Sequence, residues 1–497
     1  MDPDHILSLL RADLKRVKPS LPDEFPVADD FTMDWQLDSL DLVEFVSRIE
    51  STFSILIPDE DLPGFVSLEA TLAYVHARLG GARHPASTID PAAPVRDRAH
   101  VPAVSMRGFT GGRVSSGGEP IVITGIGVQS PLGPTPDELW ARIAAGESAA
   151  KRWPDLAAEG HRVTTACRIE DLECEPLRRG AALAVAAARQ AVERAQLQPP
   201  KDTGVFVGST IGESFAFESA AEGATIGLRG FTVESFTDAI KAHFKLTGPG
   251  HAVATACAAG NYAVGAAMIA LRSRRVRVAI AGGVEPFSRL AMVGFSRSRA
   301  MAASACRPFD ERRNGMLLGE GAAIFVLERA DEALARGATP LAEVAALGLS
   351  CDAHHPTAPQ PDGSGMRRAM EAALVAGNVT PGEVGWVNAH GSGTRLSDAA
   401  EARALRALFG ERLPFVSGSK GALGHALGAS SALELAISVE GLRAQRVPPT
   451  YGHEQPDPDG GVACTRQMID APIRWMLNNA FAFGGVNSSL LVGRWVA

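Results

Sequence analysis

The sequence predicts a small all-α bundle followed by a larger α/β body, and three observations lead to this fold class. Residues 1–80 contain short segments with the apolar spacing of amphipathic helices. Residues 81–118 are rich in Pro, Gly, Ser and Ala and show no apolar period, which is typical of a flexible linker. Over residues 119–497, apolar runs alternate with Ala-rich segments, as in layered α/β folds with helices on both faces of a sheet.

The N-terminal part is expected to be a bundle of the four-helix type, and three of its helices can be placed from the pattern. In the first two helices, apolar residues recur every three to four positions on one face: Ile6, Leu10, Leu14 and Val17, then Leu42, Val43, Val46, Ile49 and Phe53. The second helix begins near Ser39. The last covers residues 67–79, with Ser67 as its N-cap.

Six apolar runs of the body predict strands: EPIVITGIGV, DTGVFVGS, VRVAIAGGV, GAAIFVLE, GWVNAHG and NAFAFGGVNSSLLVG. Ala-rich helices are predicted between them, for example over residues 257–272 and 425–444. The helix after Cys257 is small or apolar almost all round, so we expect it to be buried.

Composition and charge exclude several function classes. No apolar run reaches the ~18 residues of a membrane span, and the start, MDPDHILSLLRADLKRVK, is acidic and then amphipathic, unlike a signal peptide. The six cysteines are scattered without metal-ligand spacing, which predicts no metal site and a reducing cytoplasm. Residues 1–80 carry 16 acidic and 6 basic residues, a net charge of −10 within a chain of −8. Such an acidic module disfavours nucleic acid as a partner and suits docking on basic protein surfaces.

The segment LDSLDLVEFV places Ser39 at a helix start, between Asp38 and Asp41. Its plain interpretation is a serine N-cap with acidic residues that favour the helix dipole. In an acidic module of 80 residues, however, Asp-Ser-Leu at the start of the second helix resembles an acyl carrier protein. The resemblance covers residues 1–80 and implies a 4′-phosphopantetheine group on Ser39, attached by a phosphopantetheinyl transferase. Gln36-Leu37 stands where that family usually has Gly-x.

The body contains four motifs with reactive side chains, each of which also has a plain structural interpretation. ATACAAGNYAVG sets Cys257 at the start of a predicted helix, and NAHGSGT sets His390 after a predicted strand. SGSKGALGHALGASS carries Lys420 and His425, and NNAFAFGGVNSSL forms an aromatic Gly-Gly turn. Together with CRPFDERRNGMLLGEGAAIFVLE (306–328), they resemble the β-ketoacyl synthases of the thiolase superfamily over residues 119–497.

This resemblance implies two similar α/β halves in five layers, αβαβα, and a homodimer. Residues 119–335 would form the half with the nucleophile and residues 336–497 the half with two histidines. Cys257 matches the acyl-accepting nucleophile, and the backbone N–H groups of Cys257 and Phe483 match the oxyanion hole. His390 and His425 match the stabilisers of an enolate, and Lys420 and Glu320 match residues that fix the histidine geometry electrostatically. The residues that match contacts for substrate and pantetheine are Ser392, Thr394, Phe481 and Phe483.

Two expectations about reactivity accompany these roles. The start of a helix should lower the pKa of the Cys257 thiol, so that a thiolate is present at neutral pH. Ala482 stands between the two phenylalanines where the family usually has Gly, and alanine has poor access to positive φ. We therefore expect a stiffer gate over the acyl pocket.

The implied activity is decarboxylative Claisen condensation of an acyl thioester with malonyl-carrier, alongside other enzymes of fatty acid or polyketide biosynthesis. Three alternatives remain open: an acyltransferase that forms an ester or amide without decarboxylation, a non-catalytic partner like a chain-length factor, and a thiolase. The retained Cys257, His390 and His425 disfavour all three. Chain length, starter group, pathway, homodimer or heterodimer, and service of the carrier in cis or in trans are not determined by the sequence.

Overall fold

The computed structural model describes residues 2–80 and 119–496 with internal gaps at 19, 23–24, 32–33, 36, 38, 54, 56, 58–60, 62–64, 171, 173, 176–177, 222–231 and 459–460. The predicted linker, residues 81–118, and the side chain of Ser39 lie outside the described part. The chain divides into two compact units, an N-terminal module and a body.

The N-terminal module is helical around one apolar core, which confirms the predicted small bundle. Its helices in the described residues are α1 (Pro3–Val17), α2 (Ser39–Phe53) and α3 (Leu68–Gly80). Residues of all three helices enter the core, among them Ile6, Leu10, Phe45, Ile49 and Val75. Ser67 caps α3, since its Oγ accepts a hydrogen bond from the Ala70 N–H at 3.2 Å.

The body begins with a half whose elements are β1 (Ile121–Gln129), α4 (Pro136–Ala144), β2 (Lys151–Arg152), α5 (Pro154–Ala158), β3 (Thr165–Ala166), α6 (Arg179–Arg194), β4 (Gly204–Gly208), α7 (Ser214–Ala221), α8 (Glu234–Phe244), β5 (Gly250–Val253), α9 (Ala259–Arg272), β6 (Val278–Glu285), α10 (Arg289–Arg297), β7 (Gly321–Arg329) and α11 (Ala330–Ala335). The second half contains β8 (Ala342–Cys351), α12 (Ser364–Gly377), β9 (Val384–Asn388), α13 (Arg395–Phe409), β10 (Phe415–Ser417), α14 (Lys420–Leu423), α15 (Ser430–Ala444), β11 (Arg446–Val447), β12 (Ile469–Asp470), β13 (Trp475–Ala482) and β14 (Val486–Arg494).

The strand order shows that the two halves are similar. The main sheet runs β10-β9-β13-β14-β8-β1-β7-β6-β4-β5, with β8 and β1 at the seam. Outward from the seam, the first half has the order β1-β7-β6-β4-β5 and the second half the order β8-β14-β13-β9-β10. In both halves this is the first, fifth, fourth, second and third of the main strands in chain order. Strand directions also match: β7 and β14 are antiparallel to both neighbours, and the outer pairs are parallel. The predicted pair of similar α/β halves is confirmed.

Two buried helices, α9 and α15, join the halves. Each packs against strands of both halves, and nearly every residue of α15 is buried. The prediction that the helix after Cys257 is buried is confirmed. Its small residues let strands of both halves approach it closely. In the described ranges, no helix has the length and apolarity that crossing a bilayer requires.

Element boundaries differ from the sequence prediction in instructive ways. The helices predicted from 257 and 425 begin at Ala259 and Ser430, each after a short 3₁₀ turn. The last apolar run is two antiparallel strands, β13 and β14, because Gly484 and Gly485 adopt positive φ between them. Strands β5, β8 and β10 were absent from the prediction, since they are short or rich in alanine and glycine rather than in β-branched residues.

Candidate active site

One cavity collects the reactive residues that the sequence singles out. Cys257, His390, His425, Phe481 and Phe483 all line it, although they come from four separate segments. Its remaining lining is Phe295, Ala300, Met316, Thr357, Pro359, Met366, Ser392, Thr394, Ser397, Ala482 and Asn487. Hydroxyl groups and apolar side chains therefore both border the space around Cys257.

Cys257 lies in a tight turn that explains the small residues around it. Ala256 adopts φ +48°, a left-handed conformation that turns the chain sharply before α9. A Cβ on Gly208 would lie 2.3 Å from the carbonyl oxygen of Ala259, so only glycine allows β4 to end against this turn. The alanines and glycines thus permit close backbone approach at the reactive thiol.

Burial affects the pKa of the Cys257 thiol more strongly than the start of the helix does. Desolvation raises the pKa of Cys257 to about 11, although the Lys420 charge and the N–H groups of Cys257 and Phe483 oppose this rise. The resting side chain is therefore a neutral thiol, and the expected thiolate at neutral pH is wrong. The same two N–H groups both favour the anionic form of the sulfur, so they converge on one point in the cavity.

The two histidines face each other as neutral rings. Their ring centres are 5.4 Å apart and their planes make an angle of 75°. Burial lowers the pKa of both His390 and His425 well below the usual value, and the nearby Lys420 charge lowers them further. At neutral pH both rings can therefore act as uncharged hydrogen-bond donors.

Backbone contacts fix the tautomer of His425. Its Nδ1 accepts a hydrogen bond from the Leu427 N–H at 3.1 Å, and the Ser430 hydroxyl lies 2.9 Å from the same atom. Since Nδ1 is an acceptor, the ring proton lies on Nε2. The Nδ1 atom of His390 is buried and has no hydrogen-bond partner among the described protein groups. The protein therefore fixes one histidine tautomer and leaves the other free to exchange.

A buried ion pair supports His390 from behind. The Lys420 Nζ donates to the carbonyl oxygen of His390 and to Glu434, each at 2.5 Å. Burial raises the pKa of Glu434 to about 7, against the effect of the Lys420 charge. Glu401 accepts hydrogen bonds from the N–H groups of His390 and Gly391, both at 2.9 Å. Lys420, Glu434 and Glu401 thus hold the backbone on which the His390 ring is mounted.

Glu320 is paired with Arg179 rather than with a histidine, and its electrostatic effect on the histidine geometry stays a prediction. In the described residues its buried carboxylate binds the Arg179 guanidinium and the N–H groups of Ile169 and Phe287, and it makes no hydrogen bond to a histidine ring. Glu434 is the carboxylate that meets Lys420. The sequence signal for Glu434 was available, because it lies on the helix that follows the Lys420–His425 loop.

Ser392 and Thr394 lie side by side in the cavity wall. Their hydroxyl oxygens are 2.9 Å apart, and the Ser392 hydroxyl donates to buried Asp398 at 3.2 Å. Two further hydroxyls line the same space, Thr357 and Ser397, which the sequence reasoning missed. Ser397 had a signal, since it follows Thr394 by three residues and so shares a helix face with it.

The aromatic turn after β13 borders the cavity mouth. Phe483 is 38% exposed and packs on Phe295 with ring centres 5.7 Å apart. Phe481 is buried and lies 6.2 Å from the His390 ring. Ala482 has φ −105° and ψ 161°, an extended conformation that any residue adopts. The turn takes its positive φ values at Gly484 and Gly485, so alanine at 482 is unstrained here.

The remaining predictions concern Ser39 and the absence of a metal site. The side chain of Ser39 lies outside the described residues, although α2 begins at this position. His355 Nδ1 accepts hydrogen bonds from the N–H groups of Thr357 and Ala358, so this histidine shapes the loop beside the cavity. Among the described side chains, no cluster of three or more His, Cys, Asp or Glu could hold a metal ion.

Comparison with known families assigns most of the chain. Residues 118–333 match the family "Beta-ketoacyl synthase, N-terminal domain" and residues 341–454 match "Beta-ketoacyl synthase, C-terminal domain". Residues 4–75 match "Phosphopantetheine attachment site". The module therefore carries covalent phosphopantetheine, and the body is a ketosynthase fold.

Relatives and solved structures agree with this assignment. The chain is 34% identical over 421 residues to 3-oxoacyl-[acyl-carrier-protein] synthase 2 of Rhizobium meliloti (strain 1021), covering 76% of this chain and 99% of that protein. The ishigamide ketosynthase/chain length factor has a TM-score of 0.70 at 35% identity, covering 76% of this chain and 100% of that one. A beta-ketoacyl synthase from Burkholderia phymatum STM815 has a TM-score of 0.71 at 30% identity, with the same coverage.

Proposed function

Because the chain belongs to the β-ketoacyl synthase family, we propose that it is a carrier-fused condensing enzyme that joins an acyl thioester to a malonyl thioester with loss of CO2. One observation carries this proposal. Cys257, two neutral histidines and the converging N–H groups of Cys257 and Phe483 meet in one cavity bordered by hydroxyl groups. A nucleophile, an oxyanion site and two neutral donors are the parts that this chemistry needs.

In the first half-reaction, the Cys257 sulfur attacks the carbonyl carbon of an acyl thioester. The N–H groups of Cys257 and Phe483 stabilise the oxyanion of the tetrahedral intermediate. The bond from this carbon to the donor sulfur then breaks, and the departing pantetheine thiolate takes up the proton lost by Cys257. Because the resting thiol is neutral, the sulfur gives up its proton as it attacks, and the Lys420 charge and the two N–H groups favour the developing negative charge.

In the second half-reaction, the malonyl thioester loses its carboxylate as CO2. The electron pair of the broken C–C bond moves into an enolate, whose oxygen accepts hydrogen bonds from His390 and His425 Nε2–H. The enolate carbon attacks the acyl group on Cys257, and the C–S bond to Cys257 breaks. The Cys257 thiolate recovers a proton from solvent, and a β-ketoacyl thioester two carbons longer is released.

The attached module supplies the thioester arm. We assign the phosphopantetheine to Ser39, because this serine opens α2 and the phosphopantetheine-attachment match covers residues 4–75. Helix N-terminal N–H groups favour the anionic phosphodiester. Ser392 and Thr394, with Thr357 and Ser397, supply hydroxyls suited to the amide groups of the arm. A phosphopantetheinyl transferase would load the serine, and other fatty acid or polyketide enzymes would supply and process the acyl groups, in the cytoplasm that the scattered free cysteines suggest.

We further propose a homodimer through the edge strand β5. Within the described residues, β5 pairs with β4 on one side only. The Pro249 and Val253 carbonyls accept hydrogen bonds from the N–H groups of Val205 and Ser209. The alternating backbone groups of Ala252 therefore point outward to a second copy. Ala252→Pro removes an outward donor and should yield monomers in sedimentation analysis, whereas Ala252→Ser should remain dimeric. A dimeric Ala252→Pro protein would exclude this contact.

The decisive test of the condensing reaction uses malonyl-carrier labelled with ¹⁴C in its free carboxyl group. With an acyl donor present, we expect labelled CO2 and an unlabelled β-ketoacyl product. Acyl transfer to an alcohol or amine without CO2 release would favour the ester- or amide-forming alternative. The absence of both acyl loading and CO2 release would favour a non-catalytic partner.

A further inference from the structure

A buried carboxylate of the first half, Glu285, connects three segments around the cavity and has no place in the proposed chemistry. It is the last residue of β6, and its position in the first half corresponds to that of Ala482 at the end of β13. It is 1% exposed. A buried carboxylate is costly unless it is well hydrogen-bonded, so its partners indicate what it does.

Glu285 accepts four hydrogen bonds from two different segments. Its Oε1 accepts from the Ser209 hydroxyl and the Ile211 N–H, both at 3.0 Å. Its Oε2 accepts from the Thr210 N–H at 2.6 Å and from the Gly428 N–H at 2.9 Å. All four partners are donors, which favours the ionised, acceptor-only form against the burial that raises the pKa of Glu285.

Gly428 connects this carboxylate to His425. It belongs to the 3₁₀ turn Leu427–Ala429 before α15, as Cys257 belongs to the turn before α9. Leu427, its neighbour, adopts φ +42° and donates the N–H that makes His425 Nδ1 an acceptor. The carboxylate therefore holds the turn that fixes the proton of His425 on Nε2.

Close packing also holds this turn against the first half. A Cβ on Gly428 would lie 2.6 Å from Ser209 Cα, and a Cβ on Gly283 would lie 2.8 Å from the Gly428 carbonyl oxygen. Two glycines thus bring the turn onto the ends of β4 and β6, and Glu285 is the side chain that bonds it there. A shift of the turn would move the Leu427 N–H with it.

We propose that Glu285 is a positioning residue for the decarboxylation half-reaction, because it holds the Leu427–Gly428 turn so that His425 presents its Nε2–H to the enolate oxygen. The inference rests on the proposed condensing function and assigns Glu285 no contact with substrate. Acyl transfer depends on the N–H groups of Cys257 and Phe483 instead. Loss of Glu285 is therefore expected to affect the two half-reactions unequally.

Glu285→Gln tests this in the full-length protein bearing phosphopantetheine. Glutamine has one acceptor oxygen, and its NH2 group would face backbone donors, so at least one tie is lost. We expect labelled CO2 release from malonyl-carrier to fall by ~10-fold to ~100-fold, as displaced catalytic groups cause, while acylation of Cys257 stays within ~3-fold. Glu328→Gln is the matched control. Glu328 is also a buried carboxylate, hydrogen-bonded to Thr124 and Arg336, but it lies at the end of β7 that is remote from Glu285.

A second readout needs no turnover. The Glu285 charge raises the pKa of Cys257, as the Lys420 charge lowers it. Glu285→Gln should therefore shift the pH profile of Cys257 alkylation to lower pH, and Glu328→Gln should leave it in place. Glu285→Asp, which keeps the charge with a shorter reach, should lower CO2 release without this shift, and it replaces Glu285→Gln if that variant does not fold.

Three outcomes separate the hypotheses. If wild type releases CO2 and Glu285→Gln releases as much, or loses CO2 release and acylation equally, the role of Glu285 is wrong while the proposed function stands. If wild type itself releases no CO2, the proposed function fails, and the role of Glu285 fails with it. The unequal loss in Glu285→Gln alone, absent in Glu328→Gln, supports the proposal.

Discussion

The two halves of the body share a scaffold but contribute different chemistry to one cavity. In each half, a residue with positive φ precedes a buried helix: Ala256 before α9 and Leu427 before α15. The next residue is Cys257 in the first half and Gly428 in the second. The second main strands of the two halves, β4 and β9, also correspond. Thr210 follows the end of β4, and His390 follows the end of β9 at the same distance. The two halves thus have similar backbones, and a few different side chains at equivalent positions give them different roles.

Buried charge also differs between the halves. The second half surrounds His390 with Lys420, Glu434 and Glu401, which act on the histidine backbone. The first half sets Glu285 against Gly428, the counterpart of Cys257. We infer that the nucleophile half mainly requires space and N–H groups, whereas the histidine half requires buried charges that fix orientation.

Removal of the nucleophile should have the largest effect. Cys257→Ala is expected to lower condensation by at least ~10⁴-fold, since no other group replaces a covalent nucleophile. The measurement is transfer of labelled acyl groups to the protein and formation of β-ketoacyl product. Cys351→Ala is the control, because Cys351 is a free, exposed thiol outside the cavity lining. Normal condensation by Cys257→Ala would refute the assignment.

The histidine half should govern decarboxylation. His425→Gln is expected to lower CO2 release by ~10²-fold to ~10³-fold, because a positioned proton donor contributes on this scale, while acylation of Cys257 persists. Release of ¹⁴CO2 and acyl trapping on the same preparations measure the two steps. His453→Gln, a buried histidine elsewhere in this half, should retain both steps. Equal losses in both half-reactions would mean that the halves are not divided in this way.

The close contact between the halves should also be sensitive to a single methyl group. Gly428→Ala places a Cβ 2.6 Å from Ser209 backbone atoms, which should cost about 1–3 kcal/mol of stability. Chemical denaturation compares it with Gly382→Ala, where a Cβ would meet nothing within 4 Å. Equal stability of the two variants would contradict the described packing of the turn.

The pH dependence of Cys257 follows from its burial. With its pKa raised to about 11, the thiolate fraction should rise ~10-fold per pH unit between pH 7 and 10. Alkylation by iodoacetamide, followed on the Cys257 peptide by mass spectrometry, measures this rise. A rate that is already constant at pH 7 would show a thiolate in the resting protein.

The smallest predicted effect concerns acid stability. His453 Nε2 accepts from the Cys464 N–H at 3.2 Å, and its Nδ1–H donates to the Pro308 carbonyl at 3.1 Å. Burial lowers its pKa below the usual 6.5, so its contribution is present above pH 6.5 and is lost as the pH falls below that value.

Denaturation midpoints of wild type and His453→Gln test this contribution. The difference between the two proteins should shrink from pH 7 to pH 5, by at most ~1.4 kcal/mol per pH unit. His390 and His425 titrate in both proteins and so cancel in the comparison. A difference that does not change with pH would contradict the predicted role of His453.

The sequence predicted the parts of this molecule that local pattern controls. The amphipathic period placed α1 and α2, and the apolar runs placed β1, β4, β6, β7 and β9. The ordered motifs led to the residues of the cavity. Strands such as β5 and β10 were missed, because three or four residues carry little periodic signal and depend on pairing with a distant neighbour.

Residue roles that depend on tertiary contacts were less accessible. The family resemblance pointed to Glu320, and only the fold shows that Glu434 is the carboxylate that meets Lys420. The helix start at Cys257 suggested a thiolate, whereas burial of the thiol opposes it. Alanine at 482 predicts a stiffer gate, and only the fold shows that the resting turn takes its positive φ values at Gly484 and Gly485 instead. In each case a property of the surroundings outweighed a local rule.

Mass spectrometry of acyl groups trapped during turnover tests the central claim most directly. The phosphopantetheine-bearing protein is mixed with an acyl donor, and malonyl-carrier is added later. One sample is quenched in acid before this addition and a second sample after it, and both are digested. We expect the acyl mass on the Cys257 peptide before malonyl-carrier is added and its loss afterwards, with a pantetheine-linked mass on the Ser39 peptide throughout. An acyl group that never appears on Cys257, while β-ketoacyl product still accumulates, would contradict the account.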